Sequence, residues 1–184
     1  TGLVRHIYLR YGAKSGQTLV CTVANCEALP KKKALVREIL AADANVTGIV
    51  VNYNTKKSNV ILGERFETLY GEGYLEDALL GLTFRLSPAA FYQVNHDQAE
   101  RLYEKAIEFA RFTGEETALD LYCGSGTITL CLARHVKTVY GVEIVDAAIH
   151  DAKENARKNG IVNAKFFCAD AGQAAIQFAR DGVK

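Results

Sequence analysis

The 184-residue chain contains no methionine, no tryptophan and only two prolines, Pro30 and Pro88. So little proline excludes a proline-rich linker or polyproline segment. No apolar run reaches the ~18 residues needed to cross a membrane as a helix, and the first residues lack the charged-then-apolar order of a signal peptide. Neither sign of charge is in excess: the formal net charge is +1. The first half is mildly basic and the second mildly acidic, an asymmetry too small to establish nucleic-acid binding. Five cysteines at irregular spacing fit reduced thiols in the cytoplasm better than a disulfide framework. The four histidines, His6, His96, His135 and His150, share no local metal spacing, so no metal site is expected.

The informative stretch is Ala118–Gly126, A-L-D-L-Y-C-G-S-G. An apolar strand runs into a glycine turn, a helix leaves the turn, and a second strand, Thr138–Val142, ends on Glu143. This is how a doubly wound α/β domain builds a nucleotide-type pocket. Gly124 and Gly126 let the backbone turn tightly and approach a ligand. Glu143 can accept hydrogen bonds from both hydroxyls of a ribose. The dinucleotide fingerprint wants a third glycine three residues after Gly126, where the chain has Thr129. S-adenosylmethionine has no pyrophosphate and does not need that glycine, so it is the favoured cofactor. Asp170 ends a third strand, where it meets an adenine amino group or simply caps the next helix.

The rest of the pattern is α/β throughout. Strands are expected at Leu3–Arg10 and Thr18–Val23, and a helix at Lys31–Asp43 with Leu35, Val36, Ile39 and Leu40 on one face. A hairpin of Thr47–Tyr53 with Asn59–Leu62 is predicted across Asn54–Ser58. Short strands follow around Thr68–Tyr70, Gly73–Leu75 and Leu82–Leu86. Asn95 reads as the N-cap of a helix ending near Arg111, with Gln98 in the capping-box position. Then come strand Thr117–Tyr122, helix Thr127–His135, strand Thr138–Val142, helix Ala147–Asn159 and strand Lys165–Cys168. Asp146 is read as the cap of the second of these helices and Gly160 as its stop. Lys31, Lys32 and Lys33 open a helix, where the macrodipole disfavours positive charge. They form either a phosphate-facing edge or a solvated surface.

The run G-L-T-F-R-L-S-P-A-A-F-Y-Q-V-N, followed by D-L-Y-C-G-S-G-T and V-Y-G-V-E, resembles the RNA uracil-5-methyltransferases, which make 5-methyluridine in tRNA and 23S rRNA. Upstream, T-K-K-S-N-V-I-L-G resembles the same family's central domain. The resemblance implies a small α/β central, RNA-facing domain over residues 1–90 and the first half of a Rossmann-like methyltransferase domain over residues 91–184. It implies that Gln93 contacts the methionine part of S-adenosylmethionine. Tyr122 and Thr127 would line the pocket with Gly124 and Gly126, Glu143 would hold the ribose and Asp170 would lie near the adenine.

In this family a thiolate adds to uracil C6, which makes C5 nucleophilic, and a base later removes the C5 proton. The cysteine and base are expected beyond Lys184, after an aspartate-proline-proline motif that this chain lacks. The chain is therefore expected to be part of a longer enzyme and inactive alone. Its cysteines read as structural: Cys123, Cys131 and Cys168 as small hydrophobes. Cys21 and Cys26 lack the second pair that an iron–sulfur cluster like that of some family members would need. The rival functions are methyl transfer to another substrate and a non-catalytic RNA-binding module that retains the cofactor fold. With strand Thr117–Tyr122 left at a sheet edge, a further expectation is either self-association through that edge or its cover by the chain's own N-terminal module.

Overall fold

The computed structural model describes residues 2–183, and among these residues the strands form three separate sheets. The chain divides into two compact units. One takes Thr1–Asp77 and Leu86–Ala89, the other Ala78–Arg85 and Ala90–Lys184.

In the first unit, β1 (Val4–Tyr11), β2 (Thr18–Ala24), β3 (Val46–Tyr53) and β4 (Arg65–Gly71) form one sheet in sequence order. β2 and β3 are parallel, while β1 and β4 join the edges antiparallel. A parallel pair needs a long crossover, and α1 (Lys32–Ala42) supplies it. Its apolar face carries the expected residues. Val36, Ile39 and Leu40 pack on Val20, Val46 and Ile49, and Leu35 on Ala24, Leu29, Val51 and Tyr53. Strands covered on both faces read as continuous apolar runs, and β2 and β3 are buried almost end to end.

The predicted Thr47–Tyr53/Asn59–Leu62 hairpin does not form. β3 pairs instead with β4, Tyr53 opposite Arg65 and Asn52 opposite Phe66. The intervening stretch is held by side-chain amides rather than a ladder. Asn54 Nδ2 donates to the carbonyls of Val60 (2.8 Å) and Ile61 (3.0 Å). Asn52 exchanges bonds with both backbone groups of Gly63 (2.9 and 2.7 Å). These amides satisfy the backbone groups that strand pairing would otherwise have taken.

β5 (Leu75–Leu79) and β6 (Leu82–Leu86) pair as a two-stranded sheet. The first of these starts after Gly73, which sits in the turn at φ 75°, rather than on it. Leu80 and Gly81 between the strands both have positive φ, 49° and 74°, the requirement of a tight two-residue hairpin.

The second unit continues with α2 (His96–Ala110), β7 (Thr117–Asp120), α3 (Thr127–Ala133), β8 (Thr138–Glu143), α4 (Asp146–Lys158), β9 (Ala164–Cys168) and α5 (Ala171–Arg180). The three strands are parallel in the order β7-β8-β9. Asn95 caps α2, its side chain accepting from Gln98 N at 3.3 Å. Asp146 is not the cap of α4: Val145 holds that position, and Asp146 sits in the first turn, where its charge still favours the helix dipole. Gly160 follows the helix at φ 66°. Among the described residues no helix is long and apolar enough to cross a membrane.

Candidate functional site

A parallel sheet collects its strand ends on one edge, and ligands bind outside the carboxyl ends. Here the carboxyl ends of β7, β8 and β9 deliver the glycine turn, Glu143 and Asp170 respectively. The turn needs glycine. Gly124 and Gly126 have φ of 52° and 83°, left-handed values costly for other residues. A side chain on Gly126 would also press on Ala152, with its Cβ only 3.1 Å away, whereas the space beside Gly124 is open. The turn is thus packed against α4 on one side and clear for a ligand on the other.

Glu143 is tied to this turn. One carboxylate oxygen accepts from Gly124 N at 3.2 Å and the other from Val145 N at 3.0 Å. Two backbone donors fix the carboxylate, and each oxygen keeps a lone pair for a ligand hydroxyl. Tyr122, on the turn, is 82% exposed. Thr127 opens α3 and lies 3.5 Å from the Tyr103 hydroxyl of α2. Gln93 is exposed on the segment before α2. Asp170 caps α5, accepting from Gln173 N at 3.0 Å. The structure therefore joins Gly124 and Glu143 directly, sets Tyr122, Gly126 and Thr127 beside them along the chain, and gives Asp170 a cap at the end of β9.

Asp120 was not singled out from the sequence. It ends β7, accepts from the buried Thr129 hydroxyl at 2.5 Å and from Tyr122 N at 3.4 Å, and so braces the turn from below. Burial raises its pKa, and the Thr129 hydroxyl opposes the rise. Thr129 thus fills the place of the missing third glycine with a specific bond. Asn155 of α4 was missed too. It is fully buried and donates to Ser125 O at 3.0 Å. The available signal was an amide on the apolar face of α4, among Ile149, Ala152 and Ala156.

Burial pushes the Cys123 and Cys131 thiols up to about 12 and Cys21 to about 11. Burial thus favours the protonated thiol, whereas a nucleophile needs the thiolate. Cys168 is exposed, which corrects its reading as a packed hydrophobe: the end of β9 leaves its sulfur 3.5 Å from Ile144 O at the surface. Iodoacetamide at neutral pH is expected to alkylate Cys168 first, Cys26 more slowly, and to spare Cys21, Cys123 and Cys131. Peptide mass mapping checks this, and rapid modification of Cys123 would contradict it.

Of the three lysines, Lys32 is engaged. It binds both oxygens of Glu67 at 2.7 Å, and Tyr53 donates to the same carboxylate. Lys31 and Lys33 are exposed. His96, Asp97 and Glu100 place their ligand-type atoms within 4.8 Å of one another. This proximity was invisible as histidine spacing. His96 Nε2 lies 2.6 Å from Ala78 O, and Glu100 accepts from Leu80 N at 3.0 Å, so the group also ties α2 to the hairpin turn.

Comparison with known proteins adds the following. A methyltransferase-domain family model matches residues 112–183. A Halalkalibacterium halodurans protein named as an uncharacterized RNA methyltransferase is 45% identical over 183 residues, which is 100% of this chain and 40% of that protein. A Lactiplantibacillus plantarum protein of the same name is 47% identical over 184 residues, again covering 40% of its length. The chain thus spans about 40% of the curated relatives it matches. Among solved structures, the Pyrococcus abyssi tRNA (uracil-54, C5)-methyltransferase in complex with S-adenosyl-L-homocysteine superposes with a TM-score of 0.75 and 27% identity, over 92% of this chain and 40% of that one. The M. jannaschii tRNA m1G37 methyltransferase shares the fold, with a TM-score of 0.56 at 17% identity over 92% of this chain and 50% of that one.

Proposed function

We propose that this chain is the cofactor-binding part of an S-adenosylmethionine-dependent RNA methyltransferase, an enzyme that makes 5-methyluridine in RNA. The observation that carries this reading is the Gly124–Glu143 pairing on the carboxyl edge of the parallel sheet. The fold match to a uracil-C5 enzyme supports the choice of base.

The residues fit the cofactor. Its sulfonium supplies an electrophilic methyl group. Glu143, held by two backbone amides, accepts the ribose hydroxyls. The open side of Gly124 admits the ligand against bare backbone. Tyr122 and Thr127 flank it, Gln93 reaches the methionine end, and Asp170 lies toward the adenine beyond β9. Asp120 and Thr129 do not touch the ligand; their bond keeps the turn in shape. None of Cys21, Cys123 and Cys131 serves as the C6 nucleophile, because burial keeps each protonated. In this reading the nucleophile and the C5 base belong to the part of the relatives that this chain does not span.

Methylation at uracil C5 expels the C5 hydrogen, so RNA labelled with tritium at that carbon reports the reaction directly. The expected result is tritium release by the full-length protein with S-adenosylmethionine, and none by the 184-residue chain alone. Methyl transfer without tritium release would move the activity to another atom. Release by the chain alone would show that its own cysteines act.

A further inference from the structure

We infer that the first unit carries its own RNA contact: the pocket at the carboxyl ends of β2 and β3 receives a backbone phosphate of the RNA strand. The inference rests on the proposed RNA substrate and names a second place where that substrate is held. The pocket has a volume of about 390 Å³, and its wall includes Arg5, His6, Asn25, Lys56 and Lys57. Among the described residues, none that lines it carries a carboxylate. β2 ends at Ala24 and β3 at Tyr53, so Asn25 and the Thr55–Lys57 loop stand outside the carboxyl ends of the parallel pair. That is where open α/β sheets place ligands.

The positive charge is fixed in position. Arg5 donates to the carbonyls of Asn54 (2.9 Å), Lys56 (2.9 Å) and Ser58 (3.2 Å). Carbonyl partners carry no net charge, so they hold the guanidinium and the loop together without neutralising it. From the other side the buried Asn54 accepts from Lys56 N at 3.1 Å and donates to Val60 and Ile61. The two lysines therefore rise from a braced loop, which lowers the ordering cost of binding. Lys57 has no ion-pair partner among the described residues. Lys56 meets Glu64 at 2.7 Å, but both side chains are more than 70% exposed, and such a pair is screened and weak. A phosphate can replace that carboxylate. By contrast, the Lys32 ammonium in the Lys31–Lys33 run is already paired with Glu67.

The test measures binding of a fluorescein-labelled single-stranded RNA to the chain by anisotropy, across a series of salt concentrations. Arg5 is left intact because it holds the loop. Lys56→Ala/Lys57→Ala is expected to weaken binding roughly tenfold at low salt and to reduce the slope of log K against log salt by about 0.7 for each lost phosphate contact. Lys31→Ala/Lys33→Ala is expected to change the slope less, and unchanged thermal melting of both variants shows that the fold is kept. Equal slopes for wild type and Lys56→Ala/Lys57→Ala overturn the site while leaving the methyltransferase reading intact. A wild-type chain that binds no RNA even at low salt removes both this site and the chain's share in RNA recognition, whereas tritium release tests the catalytic reading separately. Inorganic phosphate that shifts the Lys57 signals in NMR, with RNA slopes equal, would make the pocket a free-anion site and likewise overturn the proposal.

Discussion

Asn155→Ala is expected to lower the unfolding free energy by about 3 kcal/mol, from the loss of hydrogen bonds to buried backbone groups. The Asn155 side chain is fully buried. Its amide donates to Ser125 O at 3.0 Å and Arg85 O at 3.3 Å, and its oxygen accepts from Arg85 N at 2.7 Å. Alanine leaves those three groups without these bonds in a space closed to easy hydration. One turn on, Asn159 repeats the pattern on β6, accepting from Thr83 N at 2.9 Å and donating to Thr83 O at 2.7 Å. The geometry explains the repeat. Four residues of helix rise about 6 Å, and two residues of strand advance about 6.6 Å. Amides at i and i+4 on α4 therefore meet alternate residues of β6, and side chains do for that strand what a neighbouring strand would do. Asn159 is half-buried, so its alanine variant should lose only about 1 kcal/mol. Urea unfolding followed by circular dichroism checks both. A loss below about 1 kcal/mol for Asn155→Ala would mean that water replaces the amide and the clamp is not structural.

The same residue marks where the sequence stops being legible. The second unit announced itself because its three short strands and the helices between them follow local rules: apolar runs, a glycine turn, Asn95 as cap and Gly160 as stop. Glu143 was legible because a strand ending on an acid after a glycine turn has one well-known use. Asn155 and Thr129 were not, because their partners lie 70 and nine residues away in sequence and only folding brings them near. The misread hairpin has a similar cause. Asn59–Leu62 has the composition of a strand, but Asn52 and Asn54 take its backbone groups with side-chain amides, and Arg65–Gly71 is left to pair with β3. The Leu80–Gly81 turn hid because a leucine occupies a positive-φ position usually given to asparagine or glycine. Lys31–Lys33 read as one basic run, yet Glu67 and Tyr53, brought over by β4 and β3, take the middle lysine out of it.

Glu143→Ala is expected to weaken binding of S-adenosylmethionine by roughly ten- to a hundredfold, the equivalent of ~1–3 kcal/mol for hydrogen bonds to a charged group. The carboxylate is already anchored to Gly124 N and Val145 N, so a ribose meets an ordered acceptor and little entropy is lost in arranging it. Alanine removes both acceptors and also frees the Gly124 amide, loosening the turn that the ligand rests on. Glu143→Gln separates the two effects. It keeps the shape, but its NH₂ must face one of two backbone N–H donors, so one anchor is lost and the charge with it. Gln should therefore fall between wild type and Ala, and a Gln variant as weak as Ala would show that charge, not position, holds the ribose. Calorimetry with S-adenosylmethionine and S-adenosylhomocysteine measures these steps, and thermal melting of the free variants controls for the fold. Equal affinity in wild type and Glu143→Ala would take the ribose away from Glu143. A wild-type preference for NAD would show that Thr129, for all its bond to Asp120, does not exclude a dinucleotide.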